Sequence, residues 1–389
     1  MASVVTSLPP PNFIGDSDGL DPNLILADMI SAFEVAAGRT LQPAQVERLL
    51  INLYAYRESL VRNAIQYAGQ QNLLAYAVFP MIDYLSQLLG IVRLGAQPAV
   101  TIVEFTLANA LAVSYTIAAR TQVGTSDGQF IFATDEDLSI PADQSGGSVQ
   151  ASCTVSGSAA NGYLAGQINV QLNPSALISS VSNTSVSANG AAPESDDHLR
   201  ARIQAAPNQF SVAGPTGAYR FFALGCDPSI ADAQVVSPAP GQVSVYLLIG
   251  PNITQPASSP NNSAIASPAL LEKALATLSA DDVRPLTDTV NVLAVSEIDY
   301  EIKGTITIYA DADPAATMTA ANNAAAAFAL ALASRIQRDL VPSQIIEALS
   351  VSGVYQVALT SPSYVQLQPG QWANCTGIDL TSAVATINS

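Results

Sequence analysis

At Pro98 the hydrophobic period of this chain changes, and that change restricts the possible folds more than any other feature. Before it, Val46, Leu53, Leu60, Tyr67 and Leu74 recur at every seventh position, with Leu49 and Tyr56 in a companion seam that Asn63 and Gln70 then make polar. A seven-residue period with two seam positions predicts one long helix, from about Pro43 to Ala77, of the kind that joins a bundle or coiled coil. Two partners are open to it: the chain's own helix at Met81 to Leu89, or a helix from another chain. The length of the helix relative to its neighbour and its late polar seam residues favour the second. After Pro98 the period is two. Val103, Phe105 and Leu107 alternate with polar residues, and Phe130 and Phe132 follow a Ser126-Asp127-Gly128 turn. That pattern predicts short strands separated by turns.

The remainder falls into place around these two patterns. Asn23 to Ala37 reads as a helix stopped by Gly38. Short strands with Gly- and Ser-rich turns continue to about Gly190. Glu194 to Gly225 reads as two helices hinged at a polar break. Ser195 caps the first, Asp196 and Asp197 occupy its first turn, Arg200 pairs with Asp196, and Pro207 stops it. Gly214 and Pro215 open the second, whose apolar side is Tyr219, Phe222 and Ala223.

Further on, Ala231 to Ser237 and Gln242 to Ile249 form a hairpin, Pro251 to Pro268 a loop, and Ser267 to Ala280 a helix. Thr289 to Val295 is a strand, and Ile298 to Ile308 a longer one with a single wet face. Asp313-Pro314 caps an alanine-rich helix to about Arg338, striped by Met318, Ala325, Phe328, Leu332 and Ile336. A short helix at Ser343 to Leu349 and a strand at Val354 to Leu359 precede a weakly charged tail with Tyr364, Val365, Leu367 and Trp372. Two readings of Trp372 stand: an anchor at an interface, or a tail folded onto its own domain. Without strict strand–helix alternation the fold class is α+β: a helical segment at 1–97, a β-rich domain at 98–193 and an α+β domain at 194–389.

Charge excludes some partners. The formal net charge is −17, only Lys273 and Lys303 are lysines, and 12% of residues are charged against roughly a quarter in an ordinary soluble domain. An acidic surface repels phosphate backbones and anionic bilayers, so neither nucleic acid nor membrane is expected. Sparse charge has two compatible sources, a composition rich in Ala, Ser and Thr, and a surface that meets other subunits. The apolar stretch from Leu73 to Val92 is broken by Pro80, Asp83 and Gln87 and reads as core. MASVVTSLPPP has neither a basic region nor a long apolar run, so a soluble product of a reducing cytoplasm is expected.

No catalytic constellation is found. His198, one turn from Arg202, reads as an exposed structural residue. Cys153, Cys226 and Cys375 are odd in number and far apart, which predicts neither a disulfide framework nor a zinc site. Asp16-x-Asp18-Gly19-x-Asp21 lacks the closing ligands of a calcium loop and reads as a turn. No enzyme activity, metal or cofactor is expected.

Several stretches, in order along most of the chain, carry a resemblance. They are Ala55-Tyr56-Arg57-Glu58, Leu89-Gly90-Ile91-Val92-Arg93, Asp127-Gly128 ahead of Phe132, Glu194-Ser195-Asp196, Arg200-x-Arg202-Ile203, and Ser211-x-Ala213-Gly214-x-x-x-Ala218-Tyr219. The last is Val283-Arg284-Pro285-Leu286-Thr287-Asp288-Thr289-Val290. Together they resemble the baseplate J-like family of contractile phage tails and related injection machines. Turns of Ile-Pro-Ala-Gly type in that family correspond here to Ile117-Ala118-Ala119-Arg120 and Ile140-Pro141-Ala142-Asp143. Asp takes a left-handed position more readily than Arg, so the first turn is expected to differ. The resemblance implies a structural wedge component in the tail baseplate of a virion, assembled in the host cytoplasm. It implies pairing with a second wedge protein through N-terminal helices, contacts with sheath-initiator and hub proteins, and a C-terminal domain that joins copies from neighbouring wedges into a ring. That ring would rearrange to trigger sheath contraction. A β-rich surface adhesin, or another non-catalytic structural protein, is the alternative reading of the residues alone. The interface residues expected are Val46, Leu53, Leu60, Tyr67, Leu74 and Trp372.

Overall fold

The computed structural model describes residues 11–15, 19–210, 214–250, 265–281 and 283–384. The expected turn at Asp16 to Asp21, the loop from Pro251 and the Ser211-to-Ala213 part of the hinge fall wholly or mostly outside these residues. The chain forms two compact units, Met1–Arg93 with Ser195–Gln204, and Leu94–Glu194 with Ala205–Ser389.

The first unit is helical. Helix α1 (Pro22–Ala37) starts where the Asp21 carboxylate accepts the Asn23 N–H at 2.8 Å, and it stops at Gly38 in a left-handed conformation, φ 64°. Helix α2 (Val46–Gln70) has 25 residues. It ends sooner than its period predicts, because the chain after Gln70 makes successive turns. The Gln71 side chain accepts the Val78 N–H, and the Leu74 and Ala77 carbonyls accept from the Arg200 guanidinium, all within 3.0 Å. Helix α3 (Met81–Gln87) buries Ile82 and Ser86. The unit closes on α4 (Asp196–Ala205), whose Leu199 and Ile203 are buried. Ser195 caps this helix by accepting the His198 N–H at 3.2 Å.

The pairing expected between Asp196 and Arg200 is corrected: Arg200 pairs with Asp197, and Asp196 bonds Arg93 at 2.7 Å and the Phe79 N–H at 3.1 Å. Arg93 also holds Asp83 at 2.6 Å. Burial raises the Asp196 carboxyl pKa, but the Phe79 N–H and Arg93 outweigh it and the net shift is downward. Glu194 to Gly225 therefore divides between the units, its first helix belonging with the N-terminal helices.

In the second unit the chain enters and leaves a β domain side by side. The Leu94 N–H donates to the buried Glu194 carboxylate at 2.9 Å, and the Glu194 N–H donates to the Leu94 carbonyl at 3.0 Å. Between these points run β1 (Pro98–Leu107), β2 (Tyr115–Ile117), β3 (Gln122–Thr125), β4 (Ile131–Thr134), β5 (Leu138–Ile140), β6 (Gly146–Ser156), β7 (Ile168–Gln171) and β8 (Ile178–Asn183). Six of them form one antiparallel sheet in the order β7-β3-β4-β6-β1-β8, and β2 pairs with β5. The sheet curls so that its ends meet, with Asn183 accepting from the Gly166 and Ile168 N–H groups. Val103, Phe105, Val123, Phe132, Ile140 and Ile168 fill the inside, as period two requires. Arg120 overturns the expectation that its turn would differ. It takes φ 66°, as Asp143 takes 63°, because its N–H is fixed to the Thr134 carbonyl at 2.8 Å and the Ala119 N–H to Asp137 at 2.6 Å.

Helix α5 (Thr216–Cys226) and helix α6 (Pro268–Leu278) cover a second sheet of β9 (Ile230–Ala239), β10 (Gln242–Ile249) and β11 (Thr289–Ala294), with β10 and β11 parallel. The chain passes directly into β12 (Ser296–Ile308), the centre of a third sheet. Helix α7 (Pro314–Ala333) and helix α8 (Pro342–Leu349) pack against that sheet, burying Thr317, Ala321, Ala325, Ala329 and Leu332 together with Ile345 and Leu349. By length and composition α7 is apolar enough to cross a membrane, but its buried face is a core face. Strand β13 (Val354–Ser361) lies antiparallel on one side of β12.

Of the two readings of the tail beyond Ser361, the one in which it folds onto its own domain holds: it supplies β14 (Gln371–Val384), 14 residues long, which runs parallel along the full length of β12. Its small and polar residues show little alternation, so the sequence pattern does not mark it as a strand. With the helical first unit, the curled β domain and the mixed remainder, the fold is α+β.

Candidate interaction surface

Helix α2 holds the surface that sequence reasoning singled out. At about 100° per residue, its side chains divide into two opposed halves. Apart from Ile51, the inner half is small or polar. Ala55 and Ser59 are buried, and Ile51, Glu58, Arg62 and Gln66 are half-buried. Helix α2 packs against α1, and a Cβ at Gly69 would lie 2.5 Å from the Phe13 ring. Polar side chains tie the same half to the N-terminal strand of chain. Gln66 accepts the Phe13 N–H at 2.8 Å and donates to the Pro11 carbonyl at 2.6 Å, while Arg62 bonds Glu58 at 2.9 Å and reaches the Gly19 carbonyl at 3.3 Å. Small side chains allow this close approach, and large ones would hold the segments apart.

The outer half is large and apolar. Val46, Leu53, Leu60 and Tyr67 are between 45% and 67% exposed, so four of the six expected interface residues face solvent together. Leu49 and Tyr56 join them as the companion seam. Sequence reasoning missed a second seam, formed by Leu50, Tyr54, Val61 and Ile65, which are exposed to a similar degree. Their spacing of four within each pair was the available signal. Arg57 is exposed between the seams, and Glu47, at the flank, is tied to Arg39 at 2.8 Å. The apolar arc therefore covers about half the circumference of the helix, where a two-stranded coiled coil needs only a narrow a/d stripe.

The other two expected residues are placed elsewhere. Leu74 lies beyond the end of α2 in the turns after Gln70, half-buried. The anchor reading of Trp372 is corrected: it is 2% exposed, sits with Leu248, Val295 and Ile336, and donates its indole N–H to the Ala333 carbonyl at 2.7 Å. It is a core residue joining the second and third sheets. Pairing of β14 with β12 carries it inward at the register Glu297–Trp372.

No group of three or more His, Cys, Asp or Glu side chains among the described residues is placed to hold a metal ion. His198 is half-buried on α4. Burial pushes the thiols of Cys226 and Cys375 and the phenol of Tyr300 above their ordinary values, which makes them poorer nucleophiles at neutral pH. What the arrangement offers is therefore an apolar surface.

Three family models match the chain in succession: the Baseplate J-like protein barrel domain at residues 102–190, the Baseplate J-like central domain at 211–294 and the Baseplate J-like protein C-terminal domain at 300–381. They correspond to the curled β domain, the α5–α6 sheet and the β12 sheet. Helix α2 precedes all three. Baseplate protein J of Escherichia phage P2 is 34% identical over 184 residues, which is 47% of this chain and 57% of that relative. Among solved structures, a chain of the cryo-EM structure of the anti-feeding prophage baseplate aligns at 16% identity. The alignment covers 91% of this chain and 90% of that one, with a TM-score of 0.40.

Proposed function

The chain belongs to the baseplate J-like family, and from that premise we propose that it is a non-enzymatic structural component of a phage-type tail baseplate. Its work is to hold other proteins in place, and the observation that carries this reading is the outer half of α2. An outer half exposing Val46, Leu49, Leu50, Leu53, Tyr54 and Leu60 to water is unfavourable by the apolar area it leaves hydrated. Two seams about 100° apart on one helix match a bundle in which α2 meets two further helices, one per seam.

In this reading the helical unit is the wedge attachment. Helices of a second wedge protein cover α2, and the sheath-initiator and hub proteins contact the assembled wedge. The second unit links copies from neighbouring wedges into a ring around the central hub. Contraction follows when a distant contact shifts that ring between two packed arrangements, a bistable interface with no chemistry of its own. The site of action is the virion tail baseplate, built in the host cytoplasm.

The test is a Leu53→Asp, Leu60→Asp double variant, coexpressed with a second wedge protein of the same tail. Each carboxylate would be forced into an apolar seam at several kcal/mol before relaxation. The expected outcome is loss of copurification with an unchanged melt of the isolated chain. Copurification at the wild-type level would overturn the proposal. Unfolding of the isolated variant would assign the seam to the chain's own core.

A further inference from the structure

We propose that the free edge of β14 is a self-association surface, where a second copy of this chain adds its own β14 antiparallel to the first. Along Ile378–Val384 the strand keeps an unbroken register with β12. On the side away from β12, its backbone groups have no hydrogen-bonding partner among the described residues. A row of unpaired donors and acceptors in a regular strand is a template for another strand, and proteins that must avoid pairing disrupt it with charge, proline or bulges. Strand β13, the opposite edge, is disrupted: its register with β12 shifts at both ends. Strand β14 has one shift, before Glu301, and none after it.

Charge identifies the occupant. Two copies each carrying −17 repel one another over most of their surface. From residue 350 to residue 389 the only charged side chain is Asp379. The edge is thus where copies can meet with least like-charge contact. A strand edge is also self-complementary about a two-fold axis, the commonest symmetry of homo-oligomers. An axis normal to the sheet joins two three-stranded sheets into one of six strands and places both α7 helices on the same side. Helix α7 does not oppose this arrangement. It has no charged residue, and its exposed face offers Thr319, Ala320, Asn323, Ala327 and Leu330. Ile378 and Leu380, half-buried beneath α7, would be covered further.

The contact rests on the geometry of β14, and its role in closing a ring rests on the function proposed above. Thr381 lies near the middle of the run, exposed on the open face and bonded to Thr305 at 3.0 Å. Sedimentation of the full chain over a concentration series should show a weak dimer, with a dissociation constant of roughly 100 µM. Thr381→Asp and Thr381→Lys should each weaken it by about tenfold, because like charges then meet beside the axis, while an equal mixture should return to within about threefold of wild type. Such rescue requires that the partner be a second copy. As an independent measurement, Thr381→Cys should form an intermolecular disulfide on mild oxidation and Thr307→Cys, one strand further in, should not. A wild-type chain that stays monomeric to about 1 mM would overturn the proposal. So would variants that associate as wild type does, or a mixture without rescue. Leu53→Asp with Leu60→Asp should leave self-association unchanged, so failure here is separable from failure of the α2 reading.

Discussion

Helices α2 and α7 are both long and both read from sequence as striped, yet they point their stripes in opposite directions. Helix α7 turns its buried stripe inward: Thr317, Ala321, Ala325, Ala329 and Leu332 lie against the third sheet, and its outer face is Ala, Asn and Thr with the single large residue Leu330. Helix α2 turns Ala55 and Ser59 inward and its leucines and tyrosines outward. The contrast teaches that a hydrophobic period specifies a face and leaves its partner unspecified. Small residues decide which face can approach closest, and in α2 they lie opposite the seam. A helix that fills its short contact with alanine leaves its large side chains on the surface.

The largest effect should come from the second unit, where Trp372, open from sequence to an anchor or a folded-tail reading, is core. Trp372→Ala removes the side chain that joins Leu248, Val295 and Ile336 and leaves the Ala333 carbonyl without its donor. Chemical denaturation of the isolated chain should show a loss of about 3–5 kcal/mol. A loss below about 1 kcal/mol would return Trp372 to the surface.

Next come the small residues of the two helices, which the comparison treats as equivalent. Ala55→Leu in α2 and Ala325→Leu in α7 both force bulk into a closed contact, and each should cost about 1–3 kcal/mol. Thermal melts that show Ala55→Leu as neutral would mean that the inner face of α2 is loose. The opposition between the two faces would then weaken.

The sequence made the elements legible more readily than their partners. Asp21, Ser267 and Asp313 stand at helix starts where capping chemistry places them, and each side chain accepts a backbone N–H of the first turn. The alternation of β1 and β12 marked their buried faces because period two leaves no choice. What remained hidden depends on residues distant in sequence. Arg93 takes Asp196, more than a hundred positions away, in preference to the local pairing expected of Arg200. Strand β14 draws its stability from β12 and lacks a pattern of its own. Of the expected surface, Val46, Leu53, Leu60 and Tyr67 were legible from their period. Leu50, Tyr54, Val61 and Ile65 were not, because a single seven-residue register describes one seam and this helix has two.

A smaller effect is expected where the first unit is tied together by charge. Asp196 accepts from both Arg93 and the Phe79 N–H, and these hold its carboxyl pKa below the ordinary aspartate value. A depressed carboxylate contributes stability that is complete above its unfolded pKa and is lost as pH falls through the folded one. The melting temperature of the wild-type chain should therefore fall more steeply below about pH 4 than that of Asp196→Asn. At neutral pH this variant should be less stable by about 1 kcal/mol. Parallel acid limbs in the two proteins would remove Asp196 from the account.

The smallest expected effect bears most directly on the comparison. Leu53→Ser removes a large apolar side chain from the middle of a helix, a change that costs roughly 2–5 kcal/mol where the leucine is core. Here Leu53 is 57% exposed, and the neighbours it would leave behind are solvent. The isolated chain should change by no more than about 0.5 kcal/mol, as at an ordinary surface position. Leu332→Ser at the docked end of α7, where the side chain is 3% exposed, should show the full core penalty under the same conditions. Paired denaturation curves measure the difference between a stripe that already has its partner and one that awaits it. Equal losses would mean that α2 is covered within its own chain, and the surface proposed for a partner would not exist.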